Sequence, residues 1–340
     1  MPGIRRERHG KGFSYRLPDA SLLRDANEVG RIRRLAIPPA YTDVWICPWP
    51  DGHLQATGRD ARGRKQYRYH VDWTAGRSAD KFERLEAFGH ALPRIRQQVA
   101  RDLAGEAGEL SRPLILATLV RLLDTTYLRI GNEEYARDNE SYGLTTLRNR
   151  HADVRADALR LRFRGKHGVL HEVSLHDRRL ASVVRRCKQL PGQALFQYEE
   201  GGQVHSIGST DVNDYISAAA DERFTAKDFR SWHGTVQALK LASTASTAQG
   251  AGPRRLPEVV RGVARCLGNT EAVCRKAYIH PAVLAFCQRL TEEPEALAHL
   301  EQALEVGGEA LFATATVGAD FHRLRRDERR LLAFLHTEHA

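Results

Sequence analysis

A single tyrosine, Tyr278, stands where its side chain could do chemistry. The stretch CLGNTEAVCRKAYIHPAV, residues 266–283, places it directly after a basic helical turn and three residues before a proline. A neutral phenol is a poor nucleophile, but nearby positive charge favours the phenolate, which is a good one. The ordinary alternative is a half-buried packing residue. The choice between these interpretations depends on cations elsewhere in the chain.

Three further stretches bring cations to positions that folding does not require. Arg129 follows an apolar helix in YLRIGNEEYA, Lys166 lies at the tip of a hairpin in FRGKHG, and Arg230 lies early in a helix in DFRSWHGT. Each also has an ordinary alternative. Arg129 could pair with a nearby glutamate, Lys166 could solubilise a turn, and Arg230 could stack on Trp232 for stability. None of the three stretches is specific when taken alone.

Together the four groups match a phosphodiester transfer, which needs a nucleophile, donors for the non-bridging oxygens and an acid for the leaving oxygen. Arg129 and Arg230 suit the second role, because a guanidinium is planar, always protonated and fits phosphate oxygens bidentately. Lys166 suits the acid role if neighbouring arginines lower its pKa from about 10.4 in water. Tyr278 would then be the nucleophile, with the arginines stabilising the charge of the transition state.

The overall charge of the chain points to a polyanionic partner. Lysine and arginine outnumber aspartate and glutamate by 52 to 42, so the 340 residues carry a formal charge of +10. Such a field favours nucleic acid first and an anionic membrane surface second. Five cysteines without a C-x-x-C pair predict reduced thiols and no metal site. Without a secretory leader or a long apolar run, we expect a cytoplasmic, nucleoid-associated protein.

The pattern of apolar residues divides the chain into regions that would position these groups. Residues 1–20 are polar and basic and predict an arm that only a partner would order. Residues 21–80 alternate apolar runs with turn signals, which predicts antiparallel hairpins. Residues 81–340 have helical spacing, interrupted by one hairpin around Lys166, with helices continuing past a break at Gly201–Gly202. The predicted class is α+β: a small antiparallel β-rich N-terminal domain and a larger, mainly α-helical catalytic domain with an inserted β-hairpin.

In order and spacing, these motifs resemble those of the type IB DNA topoisomerases, most closely the small poxvirus-like and bacterial members. The resemblance runs from RIRRLAIPPAYTDVWICPWPDGHLQATGRDARGRKQYRYH through LRIGNEEYARDNESYGLTTLRNRH, FRGKHG and DFRSWHGT to GNTEAVCRKAYI. It covers nearly the whole chain, and several motifs in order are far more specific than any one of them. It implies the catalytic fold that this family shares with the tyrosine recombinases.

The resemblance implies a role for each of the four groups. Tyr278 would attack one DNA strand to leave a 3′-phosphotyrosyl bond and a free 5′-hydroxyl. Arg129 and Arg230 would stabilise the transition state, and Lys166 would protonate the departing 5′-oxygen. The reaction would relax supercoils of either sign without ATP, metal or other cofactor, and the sequence contains no Walker A motif. The expected partner is duplex DNA, preferably supercoiled, held by a monomer that closes on it as a clamp, with no membrane involved.

The family pattern also implies DNA contacts beyond these four groups. Gly131 and Tyr135 match positions beside the first arginine, where a phosphate contact is expected. Gln66, Tyr67 and Tyr69 in GRKQYRYH resemble the major-groove and backbone contacts of the poxvirus members. The alternative for the two strand tyrosines is burial in the sheet, since alternate positions of a strand share one face.

Asn269 departs from the family pattern. Many members carry histidine at this position, nine residues before Tyr278, where it is thought to donate a hydrogen bond to a non-bridging oxygen. An asparagine amide donates the same bond while staying neutral. We therefore expect Asn269 to act as a catalytic hydrogen-bond donor, with the rate and its pH dependence differing from those of the histidine members.

Three other classes fit parts of the pattern. A tyrosine recombinase shares the fold and the Arg, Lys, Arg, Tyr set, but it typically has H-x-x-R where this chain has K-x-x-R from Lys227 to Arg230, and its N-terminal arm is helical. A DNA-binding protein that had lost the chemistry would keep the clamp, although the presence of all four groups argues against it. A structural RNA-binding protein would leave the order of the motifs unexplained.

Overall fold

The structure, a computed structural model, describes residues 1–10, 12–61, 63–105, 109–244, 254–293, 302 and 323–339. The chain forms two compact units, residues 1–81 and 82–340. The first is built on antiparallel strands and the second mainly on helices, so the predicted α+β class is confirmed. Within the described ranges, no helix combines the length and apolar character that crossing a membrane would require.

The first unit is a five-stranded antiparallel sheet with one helix packed on it. Its strands, in the order β2-β1-β3-β4-β5, are β1 Ile4–His9, β2 Gly12–Arg16, β3 Thr42–Ile46, β4 Leu54–Arg59 and β5 Lys65–Tyr69. Helix α1 spans Ala26–Arg34, and the carboxylate of Asp25 caps it by accepting backbone N–H groups of the first turn. Ile32 of this helix is buried with Ile4 and Ile46 of the sheet, and these side chains form part of the unit's apolar core.

The prediction that residues 1–20 form a loose arm is wrong. β1 and β2 pair along their length, β1 also pairs with β3, and Ile4 is only 1% exposed. Arg6 is bound as well, since its guanidinium donates to three backbone carbonyls between residues 37 and 41 and lies 4.1 Å from the ring centroid of Phe13. An arginine-rich strand resembles an arm in the sequence, because the bonds that hold it go to carbonyls distant along the chain.

The second unit surrounds a continuous apolar core with helices and two small sheets. Its helices are α2 Val71–Ala104, which begins in the first unit, α3 Arg112–Thr126, α4 Glu133–Asn139, α5 Arg178–Cys187, α6 Ser209–Ala220, α7 Ala226–Ser243, α8 Leu256–Leu267, α9 Glu271–Ala277, α10 Pro281–Glu292 and α11 Arg326–His339. Its strands are β6 Ala152–Arg155, β7 Ala158–Arg164 and β8 Leu170–His176 in one antiparallel sheet, and β9 Gln197–Glu200 and β10 Gln203–Ser206 in another.

Helix α3 lies in this core and sets the position of Arg129. It begins with Arg112 and Pro113, a favoured start because proline has no N–H to leave unpaired. Its RPLILATLVRLLDTT sequence is apolar on nearly every face, and most of its residues are accordingly buried. It ends where Tyr127 takes a left-handed conformation with φ of 59°. The chain leaves the helix there, two residues before Arg129.

The predicted hairpin around Lys166 is confirmed, because β7 and β8 pair in antiparallel register on either side of it. The prediction of continuous helices farther along is wrong at one place. β9 and β10 form a second hairpin, whose two-residue turn is Gly201–Gly202 with φ of 59° and 76°. A Gly-Gly pair in a two-residue turn is a hairpin signal, since both positions require positive φ. The flanking QYEE and QVHS strands lack the apolar alternation that would have drawn attention to it.

A buried ion network ties α11 to α2, α3 and α7. Arg96 donates to both oxygens of Asp124 at 2.9 Å and to both oxygens of Glu328 at 2.7 and 2.8 Å. His233 Nε2 lies 2.9 Å from Asp124 Oδ1. Burial would raise the pKa of Asp124, but the hydrogen bonds and charges of His233 and Arg96 hold it far below its ordinary value. Asp124, His233 and Glu328 are close enough to share a cation, and the guanidinium of Arg96 already supplies that charge.

Glu328→Ala is expected to lower the free energy of unfolding by about 3 kcal/mol or more, because it leaves the charge of Arg96 partly uncompensated in a buried site. The measurement is urea or thermal unfolding of the full chain at neutral pH. Asp327→Asn is the matched control, since it removes a charge from a surface pair with Lys240 at 2.8 Å. The control substitution should lower the free energy of unfolding by less than about 1 kcal/mol. Equal losses in the two variants would contradict the assignment.

The effect of Glu328 should also depend on pH. Burial would raise the pKa of Glu328, but the hydrogen bonds and charge of Arg96 outweigh it and lower that pKa. A lowered pKa stabilises the folded state fully above the unfolded value of about 4.3, and the contribution is lost as pH falls through the folded value. The difference between the wild type and Glu328→Ala should therefore shrink in acid.

Candidate active site

The backbone of Tyr278 is held where helix α9 ends. Its N–H donates to Cys274 O at 3.0 Å, and its carbonyl accepts from Thr235 Oγ1 of α7 at 3.1 Å. A methyl group added to Gly234 would stand 3.0 Å from the Tyr278 carbonyl oxygen, so a residue with a side chain would press on this contact. The segment that carries the phenol is therefore held against α7, the helix that carries Arg230.

Arg230 lies against the ring of Tyr278. It is 4% exposed, and its guanidinium carbon lies 5.0 Å from the centroid of the phenol ring. Its terminal nitrogens donate to two backbone carbonyls, those of Leu267 at 2.9 Å and of Tyr127. Its Nε is buried without a hydrogen-bond partner among the described residues. The ends of α3 and α8 thus hold a buried cation beside the phenol, in place of the stack on Trp232 that was its ordinary alternative.

Arg129 is bound to the loop between α8 and α9. Its two terminal nitrogens donate to Gly268 O at 3.5 Å, and one of them also donates to the side-chain oxygen of Asn269. These bonds take the place of the predicted alternative, an ion pair with a nearby glutamate. The Asn269 Nδ2 group is buried and has no partner in the described part of the chain. Because an amide nitrogen is a hydrogen-bond donor, this group is available to an anionic oxygen.

Lys166 opens the tight turn between β7 and β8. Gly165 N–H donates to Val169 O at 2.8 Å and closes the turn. His167 and Gly168 follow with φ of 64° and 76°, the left-handed region that reverses the chain within a few residues. Lys166 therefore lies at the tip of the hairpin, where the turn begins.

The four candidate groups line one cleft of the second unit, with a volume of about 320 Å³. The lining consists of Arg129, Ile130, Gly131, Asn132, Tyr135, Ser141, Tyr142, Lys166, Ala226, Lys227, Arg230 and Tyr278. It includes Gly131 and Tyr135, the two residues expected to contact phosphate beside the first arginine. Asn269 joins the same site through its hydrogen bond from Arg129. Stretches that are far apart in the sequence thus meet at one place.

The electrostatics of the cleft favour the phenolate. Burial raises the pKa of Tyr278, but the charges of Arg230, Arg129 and Lys227 and a hydrogen bond from Arg230 outweigh it. The net pKa therefore lies below the ordinary value of about 10. Burial and the charge of Arg230 lower the pKa of Arg129, yet a guanidinium keeps its proton, because its ordinary pKa exceeds about 12. The cleft can stabilise negative charge on a phenol and on a bound anion.

The other expected DNA contacts lie on β5 of the first unit. Tyr67 and Tyr69 are each 50% exposed, with ring centroids 6.2 Å apart in a stacked pair. They are therefore not buried by packing within the sheet, which was their ordinary alternative. Gln66 donates to Asp60 at 3.0 Å and is partly buried. Both tyrosines present aromatic surface to the solvent, whereas Gln66 is held by the strand's own turn.

Sequence reasoning missed one residue near the site, His171 of β8. Its ring stacks on Phe163 of β7, with centroids 5.3 Å apart. Burial, then the charges of Arg129 and Arg230, lowers the pKa of His171 to about 4. The register of the hairpin pairs His171 with Phe163, so counting outward from the predicted turn at Lys166 would have brought it to attention.

Comparison with known proteins agrees with this fold. The family described as "Eukaryotic DNA topoisomerase I, catalytic core" matches residues 70–304, and "Bacterial DNA topoisomerase IB, N-terminal domain" matches residues 12–60. The first match spans well over half of the chain and includes every residue of the cleft. The second covers most of the sheet and helix α1 of the first unit.

The relatives of known name are also DNA topoisomerases. DNA topoisomerase 1B of Acanthamoeba polyphaga mimivirus is 30% identical over 302 residues, which cover 86% of this chain and 89% of that protein. DNA topoisomerase 1B of Vaccinia virus (strain Copenhagen) is 26% identical over 149 residues, which cover 43% of this chain and 47% of that protein. DNA topoisomerase 1 of Mycosarcoma maydis is 25% identical over 176 residues, covering 46% of this chain and 17% of that protein.

A catalytic-core match over residues 70–304 and a relative similar along most of both chains define the class. The chain belongs to the type IB DNA topoisomerases. The family indicated by the sequence motifs is thereby confirmed, and with it the class of enzyme. The resemblance to the bacterial members also leads us to expect a bacterial source, and this stays a prediction, because the relatives named above are viral and fungal while the matching N-terminal domain is the bacterial one.

Proposed function

We propose that this enzyme relaxes positively and negatively supercoiled DNA by cutting and resealing one strand through a 3′-phosphotyrosyl intermediate at Tyr278. The observation that carries the proposal is that Arg129, Lys166 and Arg230 line the same cleft as this phenol. Such an arrangement supplies a nucleophile, fixed cationic donors and an acid within one site.

The proposed reaction has one covalent step and its reverse. The phenolate oxygen of Tyr278 attacks phosphorus, the bond from phosphorus to the 5′-oxygen breaks, and Lys166 gives that oxygen its proton. Arg129, Arg230 and the Asn269 amide donate to the non-bridging oxygens, where negative charge builds in the transition state. Religation reverses each transfer, with the 5′-hydroxyl attacking and its proton returning to Lys166.

The energetics of this cycle account for the proposed independence from ATP and metal. One phosphodiester is exchanged for another, so the free energy of the broken bond is kept in the phosphotyrosyl ester and no nucleotide need be hydrolysed. The charge that two metal ions neutralise in many nucleases is neutralised here by Arg129 and Arg230. Between cleavage and religation, the free 5′ end rotates about the intact strand, and this releases supercoils of either sign.

DNA binding in this proposal rests mainly on phosphate contacts. The net charge of +10 favours a polyanion, and affinity should fall steeply with salt. Tyr67, Tyr69 and Gln66 would contact DNA from the first unit, and Gly131 and Tyr135 would contact it beside Arg129. We propose that a monomer engages the duplex with both units, as a clamp, and prefers supercoiled DNA. The cytoplasmic, nucleoid-associated location stays a prediction.

The test is relaxation of negatively and positively supercoiled plasmid in EDTA without ATP, with samples quenched in SDS. We expect both signs to relax and the protein to be trapped on the 3′ end of a nick whose 5′ end carries a free hydroxyl. A requirement for ATP or a divalent ion, or attachment at the 5′ end, would contradict the mechanism. Binding without cleavage would instead favour a DNA-binding protein that has lost the chemistry.

Lys227→Gln is expected to move the pH dependence of covalent-adduct formation to higher pH, because the charge of Lys227 helps to lower the pKa of Tyr278. At neutral pH the single-turnover rate should fall by less than about tenfold, the effect of one charge across an open cleft. Lys240→Gln is the control, since Lys240 lies on the same helix and its charge pairs with Asp327. The prediction fails if the two variants have the same pH profile.

A further inference from the structure

The ring of His171 lies between two backbone segments of the site. A methyl group built on Gly165 would stand 2.5 Å from His171 Cδ2, and one built on Gly268 would stand 2.5 Å from His171 Cε1. Both glycines therefore touch the imidazole with their backbone, closer than a side chain would allow. The ring is also stacked on Phe163 at 5.3 Å between centroids, with the planes 22° apart. It is held in place on the hairpin and in contact with the loop.

Each glycine is the immediate neighbour of a residue with a proposed catalytic role. Gly165 precedes Lys166, and Gly268 precedes Asn269 and accepts hydrogen bonds from Arg129 through its carbonyl. The imidazole thus lies between the hairpin that carries the acid and the loop that carries Asn269 and binds Arg129, the two proposed hydrogen-bond donors to the phosphate. The two segments meet the ring at its Cδ2 and Cε1 edges, so the width of the ring limits how closely they approach.

Such a support would matter for Lys166, because apolar residues of its own turn are exposed. The turn is closed by backbone bonds from Gly165 to Val169 and from Gly168 to Gly165. The flanking Val169 and Leu170 are 42% and 54% exposed, so they do not pack the tip against the rest of the unit. An acid must lie within hydrogen-bond distance of the leaving oxygen, and an error of about 1 Å can cost about 100-fold in rate.

We propose that His171 is a positioning residue that fixes the Lys166 turn against the Gly268–Asn269 loop, so that the acid reaches the leaving 5′-oxygen while the donors hold the phosphate. This inference rests on the proposed function. The low pKa of His171, about 4, means that the ring is uncharged at neutral pH and adds no charge to compete with the arginines for the phosphate.

The decisive experiment compares single-turnover cleavage of ordinary DNA and of DNA with sulfur in place of the 5′-bridging oxygen at the cleavage site. With sulfur, the bond from phosphorus to sulfur breaks and the thiolate leaves without needing a proton, because a thiol is far more acidic than an alcohol. His171→Ala should cleave ordinary DNA about 10- to 100-fold more slowly than the wild type. On the sulfur substrate, its deficit should shrink to about threefold or less, as should that of Lys166→Ala.

The outcomes separate this inference from the proposed function. If sulfur suppresses the defect of Lys166→Ala but not that of His171→Ala, the inference is overturned while the acid role of Lys166 stands. If sulfur suppresses neither defect, the acid role itself fails. Wild-type cleavage of ordinary DNA by a folded His171→Ala protein also overturns the inference.

Gly165→Ala provides a second test that does not depend on removing the ring. The backbone of Gly165, with φ of −96° and ψ of −165°, accepts alanine, so among the described residues the obstacle to the new methyl group is the ring of His171. We expect Gly165→Ala to slow cleavage and His171→Ala to relieve part of that defect in the double variant, which is a non-additive result. Strictly additive defects would overturn the inference. Thermal unfolding midpoints of all the variants show that each is folded.

Discussion

Tyr278→Phe is expected to bind DNA with wild-type affinity and to relax neither sign of supercoil. The variant loses only the nucleophilic oxygen, because the phenylalanine ring keeps its place 5.0 Å from the guanidinium of Arg230. The rate of cleavage should fall by a factor on the order of 10⁵ or more, the scale of losing a catalytic nucleophile. Plasmid relaxation, trapping of the SDS-resistant adduct and a DNA-binding titration measure the three properties separately.

Tyr198→Phe is the matched control for this loss. It removes one hydroxyl from the same unit at β9, outside the lining of the cleft, and should leave relaxation and adduct formation unchanged. An adduct that persists in Tyr278→Phe would mean that another residue is the nucleophile. If the wild type and Tyr278→Phe both bind DNA and neither relaxes it, the protein is a binding module or needs a partner for catalysis.

The candidate residues could be predicted because each of them lies where the sequence pattern changes. Arg129 follows the apolar α3, Lys166 lies at a hairpin tip and Tyr278 ends a helix before a proline. Turn and helix-end signals are local, so they survive in a single sequence. What brings these ends together is the packing of α3, α7 and α8, and no local signal specifies that packing.

Apart from the β9–β10 hairpin, whose Gly201–Gly202 turn is local, the missed features depend on contacts between distant residues. Arg96 and Glu328 are 232 residues apart, and only the fold pairs them. The strand β1 contains Arg5, Arg6 and Arg8, and it is held by pairing with β2 and β3 that its composition does not suggest. The role proposed for His171 depends on contacts with two glycine backbones, which carry no side chain by which a sequence could mark the contact.

Replacement of Arg230 should give the other large effect, because this residue serves the site in two ways. In the proposed mechanism it donates hydrogen bonds to the non-bridging oxygens of the reacting phosphate, and it is the foremost of the cations that lower the pKa of Tyr278. Arg230→Ala is expected to slow cleavage by about 10³- to 10⁵-fold, the range for removing a transition-state arginine or a fixed donor. Its pH profile should also move to higher pH, because less of the phenol is ionised at any given pH.

Arg230→Lys should recover little of this loss. The guanidinium donates to the carbonyls of Leu267 and Tyr127 while it faces the phenol, and an ammonium cannot reproduce that planar fork. Arg265→Ala is the control for the loss of one positive charge, since Arg265 lies exposed on α8. It should weaken DNA binding slightly and leave single-turnover cleavage at saturating protein unchanged. If Arg230→Lys cleaved DNA as fast as the wild type, charge alone would suffice, and the geometry of the fork would have no part in the reaction.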